Sequence, residues 1–102
     1  MARRVVFRDQ ANADLTALYD YIADNRSPAI AIAYIRRIRD ACLALEHFPE
    51  RGTKRDDIVK GLRTIGFERR VTIAFRVLKT RVEIVTIAYG GRDFESELKN
   101  ES

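Results

Sequence analysis

The chain has 102 residues, 46% of them hydrophobic and 33% charged, the composition of a compact globular unit with a charged surface rather than of a disordered tail or two independent cores. Nineteen Lys and Arg against fifteen Asp and Glu give a net +4, the lone Cys42 excludes an internal disulfide, and no stretch approaches the ~20 apolar residues of a membrane span. The sequence reads as one soluble, cytoplasmic domain over residues 1–102, with no membrane partner.

The first apolar run, Val5 to Phe7, ends at Arg8-Asp9, too soon for a signal-peptide core. It predicts a short strand over 4–7, followed by Asp9 as a helix N-cap. Ala11, Leu15, Leu18 and Ile22 then recur at helical spacing, widened by Tyr19, with Asp14 and Asp20 placed off the apolar stripe. Asn25 and Arg26 close this helix, and Ser27-Pro28 opens a second with a capping hydroxyl and a proline at the first helical position. Ile35, Ile38, Cys42 and Leu45 form its stripe, broadened by Tyr34, Ala41 and Phe48, and the helix is expected to stop at Phe48-Pro49. So short a connection makes the two helices an antiparallel pair that needs an apolar sheet to lie on.

Residues 50–60 show neither period and read as an exposed loop. Three strand-like runs follow, 61–67, 70–78 and 81–89, joined by connections short enough for hairpins. In the middle run Val71, Ile73, Phe75 and Val77 share one face and Arg70, Thr72, Ala74 and Arg76 the other, one dry and one wetter. The last run is apolar on both sides past Val85, as a strand inside a sheet should be, and one more helical turn spans Phe94 to Leu98. The predicted fold is α+β: two N-terminal antiparallel helices on a small antiparallel sheet, in the order β-α-α-β-β-β with a short C-terminal helix.

Charge is unevenly spread. From Arg51 to Arg92 eleven cations face four anions, +7 in 42 residues, which points either to an acidic partner, nucleic acid or protein, or to a solvated surface. One Cys and one His cannot build a structural zinc site, and no glycine-rich phosphate loop is present. Cys42 lies on an apolar stripe and reads as a packed hydrophobe. His47 reads as trim at a helix end, and Ser27, Ser96 and Ser102 lack the partners of a serine hydrolase. No metal, cofactor or conventional catalytic residue is expected.

Three segments, "ANADLTALYDYIADN", "KGLRTIGFERRVTIAFRV" and "VEIVTIAYGGRDFES", together resemble the RelE/ParE superfamily of type II toxin–antitoxin toxins, and within it the ParE branch. The resemblance implies a small α/β toxin that inhibits DNA gyrase, blocks replication and is neutralised by a cognate ParD-like antitoxin in a hetero-oligomer. For RelE-like members it implies instead a ribosome-dependent endoribonuclease acting on messenger RNA, and a non-toxic antitoxin-binding module is a third option. Tyr89 stands where ParE members usually carry histidine. In the nuclease reading Tyr89 would act on the scissile phosphate while Arg63, Arg76, Arg81 and Arg92 hold charge; in the gyrase reading Arg63, Tyr89 and Arg92 are the candidate target-binding residues. Gly90-Gly91 would turn the chain so that Arg92 folds back toward the strand end, where it either meets an acidic partner or locks the turn by pairing with Asp93 or a backbone carbonyl.

Overall fold

The computed structural model describes residues 3–101; Ser102 lies outside them. Strand β1 (Arg4–Phe7) leads into helices α1 (Asp9–Asn25) and α2 (Pro28–Leu43), and a 3-10 turn (Ala44–Glu46) completes the helical half. Strands β2 (Thr53–Lys54), β3 (Leu62–Phe67), β4 (Val71–Val77) and β5 (Arg81–Tyr89) follow, and helix α3 (Phe94–Glu101) closes the described chain. They form a five-stranded sheet in the order β1-β5-β4-β3-β2.

The α+β class and the element order agree with the sequence reading, but the sheet is mixed, not antiparallel. Strands β2 to β5 pair antiparallel, whereas β1 runs parallel to β5, from Arg4 opposite Arg81 to Phe7 opposite Ile84. A parallel pair needs a long crossover, here everything from α1 through β4, so hairpin-scale reasoning could not supply it. β5 is thereby an interior strand, flanked by β1 and β4 and buried from Val82 to Ala88, consistent with its apolar run on both faces.

The helix boundaries follow local chemistry, with three corrections. Arg8, not Asp9, occupies the N-cap of α1, and Asp9 is the first helical residue, its carboxylate placed against the helix N-terminus. Ser27 caps α2 as expected, its Oγ accepting from the Ile30 N–H at 3.1 Å with Pro28 next in line. The α-helix gives way at Leu43 to the 3-10 turn, well before Phe48, and Phe48 is 70% exposed. The tighter turn rotates Phe48 away from the stripe it would have continued.

Ala11, Leu15, Leu18 and Ile22 of α1 and Ala31, Ile38 and Cys42 of α2 close on Val71, Ile73, Phe75, Val82, Ile84 and Ile87 of the sheet, all buried. The opposite face, expected to be wet, carries a second core: Ile58, Leu62, Ala74, Val85 and Ala88 pack under Phe94 and Leu98 of α3. Residues 50–60 are correspondingly not a simple exposed loop. They hold β2, bury Ile58 and tie Arg55 to Glu95 of α3 at 2.8 Å.

The pairing of β4 with β5 slips once: Ala74 faces Thr86 and Phe75 faces Ile84, so Val85 is the extra residue of a bulge. The slip turns Val82 and Ile84 before it, and Ile87 after it, to the same helical layer.

Two of the turns with left-handed backbone bear on stability. Gly52 sits at φ +77°, and a Cβ there would fall on the Thr64 carbonyl and Ile65 Cγ2. Glu68 and Arg69, linking β3 to β4, have φ of 46° and 65° without being glycine, a strained pair held by the bidentate contact of Arg37 with the Glu68 carboxylate at 3.0 and 3.1 Å. Gly52→Ala is therefore expected to lower unfolding free energy by at least about 2 kcal/mol, and Arg69→Gly to raise it by roughly 1 kcal/mol. Urea denaturation midpoints check both, and a neutral Gly52→Ala would contradict the close approach.

Candidate functional site

The sheet has two ends, set by strand direction. At one, β5 terminates in Tyr89 beside the Glu68-Arg69 turn; at the other lie the start of β3 and the end of β4.

At the Tyr89 end the organising group is Asp14, which the sequence reading placed off the stripe. It is instead buried, at 7% exposure, on the face α1 turns to the sheet. β1 stops opposite Ile84, so beyond that point β5 has an open edge, and Asp14 reaches into it. Its Oδ2 accepts the Ile87 N–H at 2.8 Å and the Thr86 hydroxyl at 2.6 Å. Its Oδ1 accepts from Gln10 at 2.8 Å and from Arg92 at 2.6 Å.

Burial alone would push the Asp14 carboxyl up. The Arg92 guanidinium, the Thr86 hydroxyl, the Ile87 N–H and the Gln10 amide outweigh it, and the carboxyl lies below its ordinary value.

Arg92 does fold back, as expected of residues after the glycine pair, but its partner is Asp14, not Asp93. Gly90 supplies the turn at φ +66°, and the guanidinium spans Asp14, the Thr86 hydroxyl and Glu97 of α3, the last at 3.2 Å. Asp93 has a separate task. Its carboxylate accepts the Ser96 N–H at 3.2 Å at the start of α3, and hydrogen bonds from Ser96 hold its carboxyl below the ordinary value.

Above this lock runs an open groove. One part, of about 320 Å³, lies between Asp14, Leu18, Tyr21, Ile87, Tyr89 and Arg92. The adjoining part, about 430 Å³, runs past Tyr21 and Tyr89 to Ile30, Tyr34, Arg26 and Arg70. The Tyr21 and Tyr89 rings are tilted against one another with centroids 6.0 Å apart, and Tyr21 and Ile30 are 56% and 49% exposed. Burial first, and then the Glu68 carboxylate, hold the Tyr34 hydroxyl above its usual value, so it remains a neutral donor. The groove therefore offers apolar area, phenol hydroxyls and the exposed Arg26 and Arg70 guanidinium groups, the chemistry of gripping a partner.

Of the sequence-derived candidates, Tyr89 and Arg92 share this groove, and Arg63 and Arg76 do not. Arg63 lies opposite Phe75 while Tyr89 lies opposite Val71, four residues of β4 or roughly 13 Å apart. Arg76, beside Phe75 on β4, alternates to the other face of the sheet, where Leu62 and Glu83 are its cross-strand neighbours. Arg81 pairs with Glu83 at 3.6 Å at the same remote end.

Cys42 is fully buried and burial pushes its thiol up to about 12, the behaviour of a packed side chain. His47 is exposed, 3.9 Å from Glu46. Among the described residues no group of three or more His, Cys, Asp and Glu is arranged to hold a metal, and no helix is long and apolar enough to cross a membrane. Asp14 is the residue the sequence reading missed, although Ala11, Asp14 and Leu18 have helical stripe spacing.

Residues 5–94 match the family described as the ParE toxin of the type II toxin–antitoxin system parDE. Among solved structures the chain is similar to one from P. aeruginosa described as a chromosomal ParDE TA system, with 27% identity and a TM-score of 0.77 over 87% of this chain and 97% of that one. Among curated protein sequences none matches.

The lock sets a testable pH dependence. Because the folded carboxyl of Asp14 is depressed, its contribution to stability is fully present above the ordinary value of 3.8 and is lost as pH falls below it. Asp14→Ala is expected to cost about 3 kcal/mol at neutral pH, since it strands the Thr86, Ile87 and Arg92 donors. The deficit relative to the parent should shrink in urea titrations carried out at successively lower pH; a deficit independent of pH would contradict the lock.

Proposed function

We infer the function from one premise: the chain belongs to the ParE toxin family of type II toxin–antitoxin systems. The reading that best fits the site is a toxin that acts by contact, binding DNA gyrase and blocking replication, rather than by cutting RNA. The observation that carries it is that the arginines expected to serve Tyr89 are not free beside it, although Arg26 and Arg70 line the same groove. The nuclease of the sequence reading would place Arg63, Arg76, Arg81 and Arg92 around the tyrosine. Arg63 and Arg76 lie at the other end of the sheet, and Arg92 is neutralised by Asp14 and Glu97.

In this reading Tyr89 is the target-facing member of the candidate set, Arg92 holds the strand end that presents it, and Arg63 offers a second, separate contact. The cognate antitoxin occupies the groove past Tyr21, Ile30, Tyr34 and Tyr89, where an amphipathic segment would cover exposed apolar surface. Neutralisation then follows from the antitoxin covering Tyr89.

Expression of the toxin alone should arrest growth with a DNA-damage response and intact transcripts, and the purified protein should inhibit supercoiling by gyrase. Cleavage of translated messages with gyrase unaffected would favour the nuclease reading instead, and undiminished colony formation the inert module. Ile30→Glu, on the exposed wall of the groove, should weaken co-purification with the antitoxin by roughly tenfold or more, through a buried unpaired charge, while leaving the thermal midpoint of the free toxin nearly unchanged.

A further inference from the structure

The end of the sheet remote from Tyr89 carries a second cleft, of about 430 Å³, where β3 begins and β4 ends. Arg3, Lys54, Arg63 and Lys79 border it, with Glu50 and Asp56 as its two carboxylates. Five arginines elsewhere, Arg8, Arg37, Arg55, Arg81 and Arg92, each lie within 3.6 Å of a carboxylate oxygen, while others, such as Arg26, Arg36, Arg69 and Arg70, form no such pair among the described residues but do not converge on a cleft with Lys side chains. Among the described residues none of the four cleft cations makes such a pair.

The two carboxylates offset half of that charge and leave a net excess of two cations. Asp56 accepts the Gly61 N–H at 2.7 Å, and Glu50 is exposed and forms no ion pair among the described residues. Arg63 donates only to the Arg51 carbonyl, at 3.3 Å. The Nε of Arg3, on the cleft wall, is buried without a hydrogen-bond partner. An excess of cations around a concave surface marks a place where an anion would be held.

We propose that this cleft binds the phosphodiester backbone of a nucleic acid. The chemistry of the walls selects that ligand over an acidic peptide. No aromatic ring lines the cleft, and its apolar residues, Leu62, Val77 and Leu78, are buried or half-buried, so there is no platform for a base and no anchor pocket for a peptide side chain. The neighbouring edge strand β2 has two residues, too few to add a peptide strand. Guanidinium and ammonium groups spread around an open cleft suit a ligand with one charge per phosphate and no side chains to place. The proposal does not depend on the gyrase reading, since it requires no protein target.

Fluorescence anisotropy with a labelled duplex DNA, and with a single-stranded RNA of the same length, tests it on the free protein. The parent should bind at least one of the two probes, and lose affinity steeply between about 50 and about 200 mM salt. Which probe binds tighter identifies the backbone; either result supports the cleft. Lys54→Ala combined with Arg63→Ala should weaken binding by roughly tenfold or more and reduce the salt slope by about 2, while Arg36→Ala combined with Arg69→Ala, the same charge change elsewhere, should cost less than about threefold. Lys79→Ala, at an exposed turn, gives the same direction without risk to folding, and Lys54→Arg with Arg63→Lys should retain binding. Equal losses in the cleft and control variants, or no binding of either probe at the lower salt, would overturn the proposal. So would displacement of the probe by poly-glutamate as readily as by unlabelled nucleic acid, which would assign the cleft to an acidic protein segment.

Discussion

The carboxylate of Asp14 is the constraint on which the rest of this structure depends. A carboxylate taken out of water is costly unless every lone pair is matched and an opposite charge lies beside it. Here α1 supplies the anion, the edge of β5 supplies the Thr86 hydroxyl and the Ile87 N–H, and the segment after the glycine turn supplies the Arg92 guanidinium. Three parts of the chain are thereby held to one point. The arrangement also disposes of a backbone donor on β5 that β1 is too short to reach.

From that point the architecture extends to both faces of the sheet. Arg92 continues to Glu97, so the lock under the helical layer is continuous with α3 on the opposite face, where Phe94 and Leu98 close the second core. Arg55 and Glu95 make a parallel tie from the segment before β3. The bulge at Val85 belongs to the same device: one extra residue in β5 sets Thr86 and the Ile87 N–H against α1 while Val85 and Ala88 stay under α3.

The same geometry divides the charge of the second half of the chain. At the Tyr89 end Arg92 is consumed by structure and Arg37 by the Glu68 turn, leaving a groove of tyrosines and aliphatic side chains edged by Arg26 and Arg70. At the opposite end Arg3, Lys54, Arg63 and Lys79 border a concave surface and form no ion pair among the described residues. The chain thus presents two chemically distinct surfaces on opposite ends of one sheet, one with tyrosines and aliphatic residues and one bordered by four cations.

Element order, the Ser27-Pro28 helix start, the helical stripes and the interior position of the last strand were legible in the sequence, because periodicity and capping are local properties that neighbouring residues enforce. The +7 excess between Arg51 and Arg92 was legible too, but not its arrangement. Tertiary structure alone decided that β1 joins in parallel and that Arg63 and Arg76 part company with Tyr89, since both depend on strand register. It also decided the fate of Asp14. A carboxylate at that position is solvated or buried according to whether donors come to meet it, and those donors lie at residues 86, 87 and 92, more than seventy positions along the chain.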